Sequence, residues 1–201
     1  MQRFTDLATI RRRVWDRLRA AATEPGHPLR ALSFGTSTDG RPQLRTVILR
    51  DADPDERVLA FHTDRQSQKV ADIRAEEKIT WLGWTPETRE QVRLSGTASL
   101  HFDDAVAEEM WQEQSPGSLD LYVRERAPGT PLEAPRDGRD AAVKTDPVTR
   151  EDVADGRPNF AVVRTVIDGI DWLHLHPEGH YRAQFQFDAE ADAFEGGWVV
   201  P

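Results

Sequence analysis

The sequence contains no cysteine. This absence excludes a disulfide framework, a thiolate metal site and a cysteine nucleophile. The chain also lacks any run close to the roughly 20 apolar residues that a membrane-spanning helix needs. Its first residues, MQRFTDLATIRRRVW, do not contain the apolar core of a signal peptide. We therefore expect a cytoplasmic protein.

Two further deficits narrow the range of functions. There is no P-loop, no G-x-G-x-x-G and no G-x-S-x-G turn, so nucleotide-binding Rossmann folds and serine hydrolases have no support. Basic residues are outnumbered by acidic ones, 26 to 35, which gives a net charge of -9. Such a chain has no general basic face for nucleic acid. A local arginine cluster can still bind a small anion, because its field extends over a Debye length of about 8–10 Å.

The pattern of apolar residues predicts a mainly β, α+β fold in a single domain over residues 1–201. Residues 5–24 have helical spacing, and further helices are predicted from Ser67, over 103–114 and over 118–125. Short alternating segments joined by tight turns predict strands over 32–34, 44–49, 58–63, 78–85 and 91–102, and again from 159 onwards. These features favour a small closed antiparallel barrel with peripheral helices. Residues 126–158, rich in proline and charge, are predicted to form a long flexible loop.

The segment 45–69, RTVILRDADPDERVLAFHTDRQSQK, carries the strongest chemical signal. A strand flanked by Arg45 and Arg50 turns into a second strand that ends at His62-Thr63, and Ser67-Gln68-Lys69 then opens a helix. Arginine, lysine, a hydroxyl and a helix N-terminus are groups that bind phosphate. The alternative is that the arginines are solvated charges and that the triplet is an ordinary helix cap.

Strand alternation limits how the two arginines can act together. Arg45 and Arg50 are five positions apart, an odd number, so a regular strand places them on opposite faces. If both bind one ligand, that ligand is extended or the strand bends.

These residues follow the pattern R-x-V-[IL]-L-[KR], then F-[YH]-T, then S-x-K, and the segment resembles the flavin mononucleotide (FMN) site of the pyridoxamine 5'-phosphate oxidase family. The resemblance covers residues 30–102 and 157–201. That family consists of homodimeric split β-barrels with two FMN sites at the interface. The resemblance therefore implies an antiparallel split barrel that binds FMN, pairs with itself and acts as an FMN-dependent oxidoreductase. The alternative is a non-catalytic flavin-binding carrier or sensor.

The resemblance also implies roles for individual residues. Arg45 and Lys69, helped by Ser67, would pair with the flavin phosphate, and the main chain of residues 46–49 would lie along the isoalloxazine ring. His62, where a tyrosine is usual, would contact the flavin, and Gln91 would reach the flavin of the partner subunit. The implied cofactor residues are Arg45, Thr46, Val47, Ile48, Leu49, Arg50, His62, Thr63, Ser67, Gln68, Lys69 and Gln91.

The substrate half of the resemblance is less complete. Arg50, Ser118 and Arg182 are the implied substrate contacts. Met110 and Gln114 stand where the family has a tyrosine and an arginine. No catalytic acid or base is assigned, and neither the substrate nor the electron donor is identified.

Two aromatic features leave alternatives. Trp172 would either cover the flavin or belong to the core, since Leu173 fits the covering position equally well. His174 and His176 share a strand face, but no third ligand lies at metal-binding spacing. We predict no metal site and interpret these histidines as solvated barrel residues.

Overall fold

The computed structural model describes residues 3–138 and 147–201. The α-helices are α1 (Leu7–Thr23), α2 (Gln68–Ala75), α3 (Ala105–Glu113) and the shorter α4 (Pro116–Leu119). The strands are β1 (Ala31–Thr38), β2 (Arg41–Asp53), β3 (Val58–Asp64), β4 (Lys78–Thr85), β5 (Glu90–His101), β6 (Phe160–His174), β7 (Tyr181–Asp188) and β8 (Ala193–Val199). Short 3₁₀ turns cover Pro28–Arg30, Asp120–Tyr122 and Ala154–Asn159.

The sheet closes through its longest strand. The strand order is β3-β2-β1-β4-β5-β6-β7-β8, and β3 also pairs with β6, so strands β1 to β6 form a closed antiparallel barrel. Strand β6 has 15 residues; its first half pairs with β3 and its last six residues pair with β7. The predicted mainly β split barrel with peripheral helices is confirmed.

Aromatic side chains fill the barrel. Phe34, Phe61 and Trp81 are fully buried and meet edge to face, with ring centroids 4.8–5.4 Å apart. Helix α1 contributes its apolar stripe to the same core, as its spacing predicts. Trp172 is only 1% exposed and donates its indole N–H to Glu90 at 2.8 Å. It is therefore a core residue, which decides between the two alternatives left by the sequence.

A second apolar cluster lies on the outside of the barrel. Helices α3 and α4 cover the outer faces of β3 and β6, where Trp111, Tyr122 and Phe160 pack together. His62, one of the predicted site residues on β3, lies against Phe160 of this cluster with ring centroids 4.9 Å apart.

Several local predictions need correction. The helix predicted over 118–125 is instead α4 followed by the 3₁₀ turn, because Pro116 starts the helix earlier. Residues 154–159 of the predicted loop form a 3₁₀ turn, and residues 139–146 of that loop lie outside the described ranges. The flexibility of residues 126–158 remains a prediction. Over the two ranges that the structure describes, no helix has the length and apolarity to span a bilayer.

The interpretation of two histidines as solvated is wrong. His174 is 1% exposed and His176 5% exposed. Their rings meet each other and Tyr181 at 4.9–6.0 Å between centroids, because the end of β6 is folded back against β7. In the described part of the chain, no three histidine or carboxylate side chains converge as metal ligands.

Candidate functional site

One end of the barrel, beneath α2, holds a buried polar cluster. Arg45 donates from Nη1 to Thr36 Oγ1 at 2.6 Å and from Nη2 to Asp72 Oδ2 at 3.1 Å. The Asp72 side chain has no solvent exposure. Burial by itself raises the pKa of Asp72, but hydrogen bonds from Gln68, Thr36 and other donors outweigh it, so the pKa is lowered and the carboxylate is charged at neutral pH.

Arg45 is therefore not a solvated strand-end charge. It is only 22% exposed and is held in one orientation by β1 and by α2. The sequence interpretation missed Asp72 and its two threonine partners, Thr36 and Thr38. The i,i+4 spacing of Gln68 and Asp72 on the predicted helix was the available signal.

Lys69 is the second cation of this cluster. Its Nζ donates to Thr63 Oγ1 at 3.0 Å, and that hydroxyl lies 3.1 Å from Ser67 Oγ. Among the described residues Lys69 has no carboxylate partner at ion-pair distance. Burial, followed by the nearby charge of Arg45, lowers the pKa of Lys69. A half-buried ammonium without a counter-ion, beside two buried hydroxyls, is a site that favours an anion.

Ser67 contributes differently from the prediction. It occupies the N-cap position of α2, but its side chain makes no capping hydrogen bond to the helix. Its hydroxyl contacts Thr63 instead. The structure thus brings Arg45, Thr63, Ser67, Gln68 and Lys69 to one end of the barrel.

Strand β2 leads from this cluster across an open face of the barrel. Val47 and Leu49 are buried inside, whereas Thr46 and Ile48 lie outside, as alternation predicts. Large apolar side chains of β2 and β4 are exposed on this outer face: Leu44 by 77%, Ile48 by 41%, Leu82 by 40% and Trp84 by 42%. An exposed apolar surface of this kind is typical of a ligand-binding or protein-binding face.

Arg50 lies at the far end of the same strand, on the outer face. A β-bulge between Leu49 and Asp51 shifts the pairing of β2 with β3 at Arg50. Arg50 is half-buried and makes no hydrogen bond or ion pair with any described residue. Burial and the neighbouring charge of Arg30 lower its pKa. Over residues 3–138 and 147–201, neither this guanidinium nor the ammonium of Lys69 has a carboxylate at ion-pair distance.

His62 and Tyr122 are the polar neighbours of Arg50. His62 Nε2 is buried and has no hydrogen-bond partner among the described residues. Burial and the charge of Arg50 lower the pKa of His62 to about 3, so the imidazole is neutral. Burial raises the pKa of Tyr122, so its hydroxyl stays protonated and remains a hydrogen-bond donor. No sequence pattern selects Tyr122, because it reaches this position only through α4 and the 3₁₀ turn that follows it.

The neutral state of His62 makes stability depend on pH. As the pH falls below about 6.5 the unfolded chain takes up a proton on His62 that the folded chain does not accept until about 3, so the free energy of unfolding decreases across this window. We expect His62→Phe to gain stability relative to the wild type between pH 7 and pH 5, measured by urea denaturation. A His180→Asn control, at an exposed histidine, should show no such gain. Parallel stability curves for wild type and His62→Phe would contradict the assignment.

Other predicted site residues lie elsewhere in the subunit. Gln91 is on the outer face of β5, which is three strands away from β2, or about 14 Å measured along the sheet. Arg182 on β7 donates to Asp171 and pairs with Leu173 on β6. Leu173 is ten residues along β6 from Val163, which pairs with Phe61 on β3, and Phe61 in turn pairs with Leu49. Ser118 Oγ contacts Ser115 at 3.0 Å. A single subunit therefore does not bring Arg50, Ser118 and Arg182 together.

Comparison with known proteins finds similarity to one family. Residues 12–102 match the family model described as "Pyridoxamine 5'-phosphate oxidase, FMN-binding domain". The chain is 39% identical over 82 residues to a pyridoxine/pyridoxamine 5'-phosphate oxidase of Rubrobacter xylanophilus, covering 40% of this chain and 35% of that protein. It is 28% identical over 165 residues to the protein of the same name from Myxococcus xanthus, covering 80% and 73%. The resemblance to the pyridoxamine 5'-phosphate oxidase family is confirmed.

The similarity to this family covers only part of the chain and part of its relatives. The family model begins within α1, earlier than residue 30, and ends at residue 102, so it does not reach residues 157–201. The aligned part spans from about a third to about half of the length of the first curated oxidases that the chain matches. The activity of those oxidases is a property of the whole proteins.

Solved structures related to this family share the fold. A pyridoxamine 5'-phosphate oxidase-related, FMN binding protein from Nostoc punctiforme superposes with a TM-score of 0.72 at 23% identity, covering 98% of this chain and 99% of that one. PhzG from Burkholderia lata, in complex with tetrahydrophenazine-1-carboxylic acid, gives 0.69 at 17% identity, covering 98% and 94%. At these identities the two structures establish the split-barrel fold alone.

Proposed function

We propose that this chain binds FMN and acts as an FMN-dependent oxidoreductase. The observation that carries the proposal is the Lys69 ammonium, half-buried beside Thr63, Ser67 and Arg45 and without a carboxylate partner in the described residues. The flavin phosphate is a dianionic group that suits this arrangement of two cations and two hydroxyls. Asp72 and Asp64 both act on Lys69, but Asp72 is paired with Arg45 and Asp64 lies 3.8 Å from Arg124. Neither carboxylate is at ion-pair distance from the ammonium, which supports its availability to the ligand.

The outer face of β2 is the proposed site of the flavin ring. Ile48, Leu82 and Trp84 provide exposed apolar area beside the main chain of residues 46–49. The bound flavin supplies the hydride transfer, while the protein binds the phosphate and orients the ring against backbone dipoles. Thr46, Val47, Ile48 and Leu49 would act mainly through their main-chain groups, because Val47 and Leu49 point into the core.

A homodimer is part of the proposal. The resemblance assigns Gln91 and Arg182 to the same site as β2. Within one subunit, however, their strands are each three strands away from β2, or about 14 Å along the sheet. A second copy placed against the open outer face would bring its own Gln91 and Arg182 to the ring. This separation supports a site shared by two subunits.

The substrate is proposed to carry an anionic group. Arg50 is a half-buried cation that has no hydrogen-bond or ion-pair partner among the described residues, and His62 and Tyr122, which both contact Phe160, add neutral polar groups. Burying such a guanidinium unpaired is unfavourable, so a carboxylate or phosphate of the substrate would stabilise it. Ser118 and Arg182 remain proposed substrate contacts, the latter from the partner subunit.

Flavin binding is tested directly. We expect purified protein to be yellow, with the two visible absorption bands of an oxidised flavin. Added FMN should raise the melting temperature of flavin-free protein, since a ligand at about 100 times its dissociation constant adds roughly 2.7 kcal/mol of stability. A colourless protein whose melting temperature FMN leaves unchanged would refute the proposal. Gel filtration with light scattering tests the homodimer.

The second candidate function is a non-catalytic flavin carrier or sensor. It is favoured by Met110 and Gln114, which stand where the family has a tyrosine and an arginine. FMN-loaded protein incubated with pyridoxamine 5'-phosphate and oxygen, or with reduced nicotinamides, separates the two functions. Flavin reduction and turnover support the oxidoreductase, and their absence with every donor supports the carrier.

A further inference from the structure

Asp72 connects the two cations of the proposed phosphate site. Its carboxylate accepts four side-chain hydrogen bonds, two on each oxygen. Oδ2 receives Thr36 Oγ1 at 2.7 Å and Arg45 Nη2 at 3.1 Å. Oδ1 receives Thr38 Oγ1 at 2.7 Å and Gln68 Nε2 at 2.9 Å. With both oxygens doubly occupied and no exposed surface, this carboxylate has no capacity left to bind a ligand itself.

The donors come from three of the elements around the site. Thr36 and Thr38 belong to β1, Arg45 belongs to β2, and Gln68 precedes Lys69 in the first turn of α2. Asp72 lies one turn further along the same helix. The carboxylate therefore fixes the first turn of α2, and with it the backbone of Lys69, relative to the guanidinium of Arg45.

We propose that Asp72 is a positioning residue for the flavin phosphate, acting by holding Arg45 and the start of α2 in the geometry that the phosphate requires. This inference rests on the proposed function. Arginine has several freely rotating bonds, and ordering them when a ligand binds costs conformational entropy. Arg45 already has its orientation fixed by Asp72 and Thr36, so less freedom is lost when the phosphate arrives.

The direction in which the affinity for the anion changes distinguishes a positioning role of Asp72 from the effect of its negative charge alone. Removing a negative charge beside an anion site strengthens anion binding by Coulomb's law. Removing a positioning group weakens it. An asparagine has the shape of aspartate but only one acceptor oxygen, so two of the four donors lose their partner.

The test compares FMN with riboflavin, which has the same ring but no phosphate. We expect Asp72→Asn to raise the dissociation constant for FMN about tenfold and to change that for riboflavin less than twofold, measured by quenching of flavin fluorescence. A tenfold change corresponds to about 1.4 kcal/mol. Glu108→Gln is the control, because it removes a carboxylate that is 54% exposed and paired with Arg157 outside the site. It should leave both constants unchanged.

Each outcome has a defined meaning. Unchanged or tighter FMN binding by Asp72→Asn overturns the positioning role, and so does an equal loss for both flavins, which indicates general damage to the fold. Wild-type protein that binds neither flavin overturns the proposed function itself. If Asp72→Asn does not fold, Thr38→Val removes one donor to the carboxylate at similar volume. It should then weaken FMN about threefold without affecting riboflavin, and equal binding of FMN by this variant and the wild type overturns the inference.

Discussion

Lys69→Met protein is expected to purify almost without colour. The variant keeps the apolar stem of the side chain and removes only the ammonium, which is the cation without a counter-ion in the described cluster. A charge-assisted hydrogen bond contributes about 1.5–3 kcal/mol. We therefore expect the dissociation constant for FMN to rise by one to two orders of magnitude, measured by fluorescence titration of flavin-free protein.

The matched control is Lys78→Met. Lys78 is 63% exposed on β4 and lies 3.7 Å from Asp168 in a surface ion pair, so its loss should not change flavin affinity. The double variant Arg45→Ala with Lys69→Ala should abolish flavin binding, but it also leaves Asp72 without its cation and is therefore less stable. Stoichiometric FMN in purified Lys69→Met would refute the assignment of the phosphate site.

Glu90→Gln is expected to cause the largest loss of stability. Glu90 is a buried carboxylate at the start of β5 that accepts from Arg13 Nη2 at 2.8 Å, Arg17 Nη1 at 3.2 Å and Trp172 Nε1 at 2.8 Å. It ties α1 to the barrel. Removing its charge leaves two partly buried arginines uncompensated, which should lower the free energy of unfolding by roughly 3 kcal/mol at pH 7.

This loss should depend on pH in a defined direction. Burial would raise the pKa of Glu90, but hydrogen bonds from Arg13, Thr88 and Trp172 and the charge of Arg13 outweigh it and lower the pKa to about 2. The unfolded value is near 4.5, so the stabilisation is complete above pH 4.5 and is lost as the pH falls towards 2. Urea denaturation should show the gap between wild type and Glu90→Gln narrowing below pH 4.5. Glu113→Gln, at an exposed site on α3, should show no gap at any pH.

The contrast between Lys69 and Asp72 illustrates how much of the site the sequence could provide. Arg45, Thr63, Ser67 and Lys69 were selected from a spaced motif, and the structure brings them to one end of the barrel. Asp72 was missed because its partners Thr36 and Arg45 lie 36 and 27 positions away along the chain. A local pattern carries no information about such contacts.

Arg50 and Trp172 also show what a local sequence pattern does not determine. The alternation of residues along a strand correctly placed Arg45 and Arg50 on opposite faces of β2. The bulge at Arg50, however, depends on the pairing of β2 with β3. Alternation also separated Trp172 from Leu173 without stating which of them faces inwards. The burial of Trp172 comes from the packing of Phe4 and Tyr181 against its ring, where β6 pairs with β5 and β7.

The sequence by itself determined the elements whose causes are local: the apolar stripe of α1, the alternating strands, and the phosphate-binding residues at a strand end and a helix start. These follow from backbone periodicity and side-chain chemistry over a few residues. The tertiary structure alone decided which faces are buried, which cations have partners and which residues share a site. Those properties depend on strand pairing and burial between distant segments, and they set Asp72 beneath Arg45 and left Lys69 and Arg50 without counter-ions among the described residues.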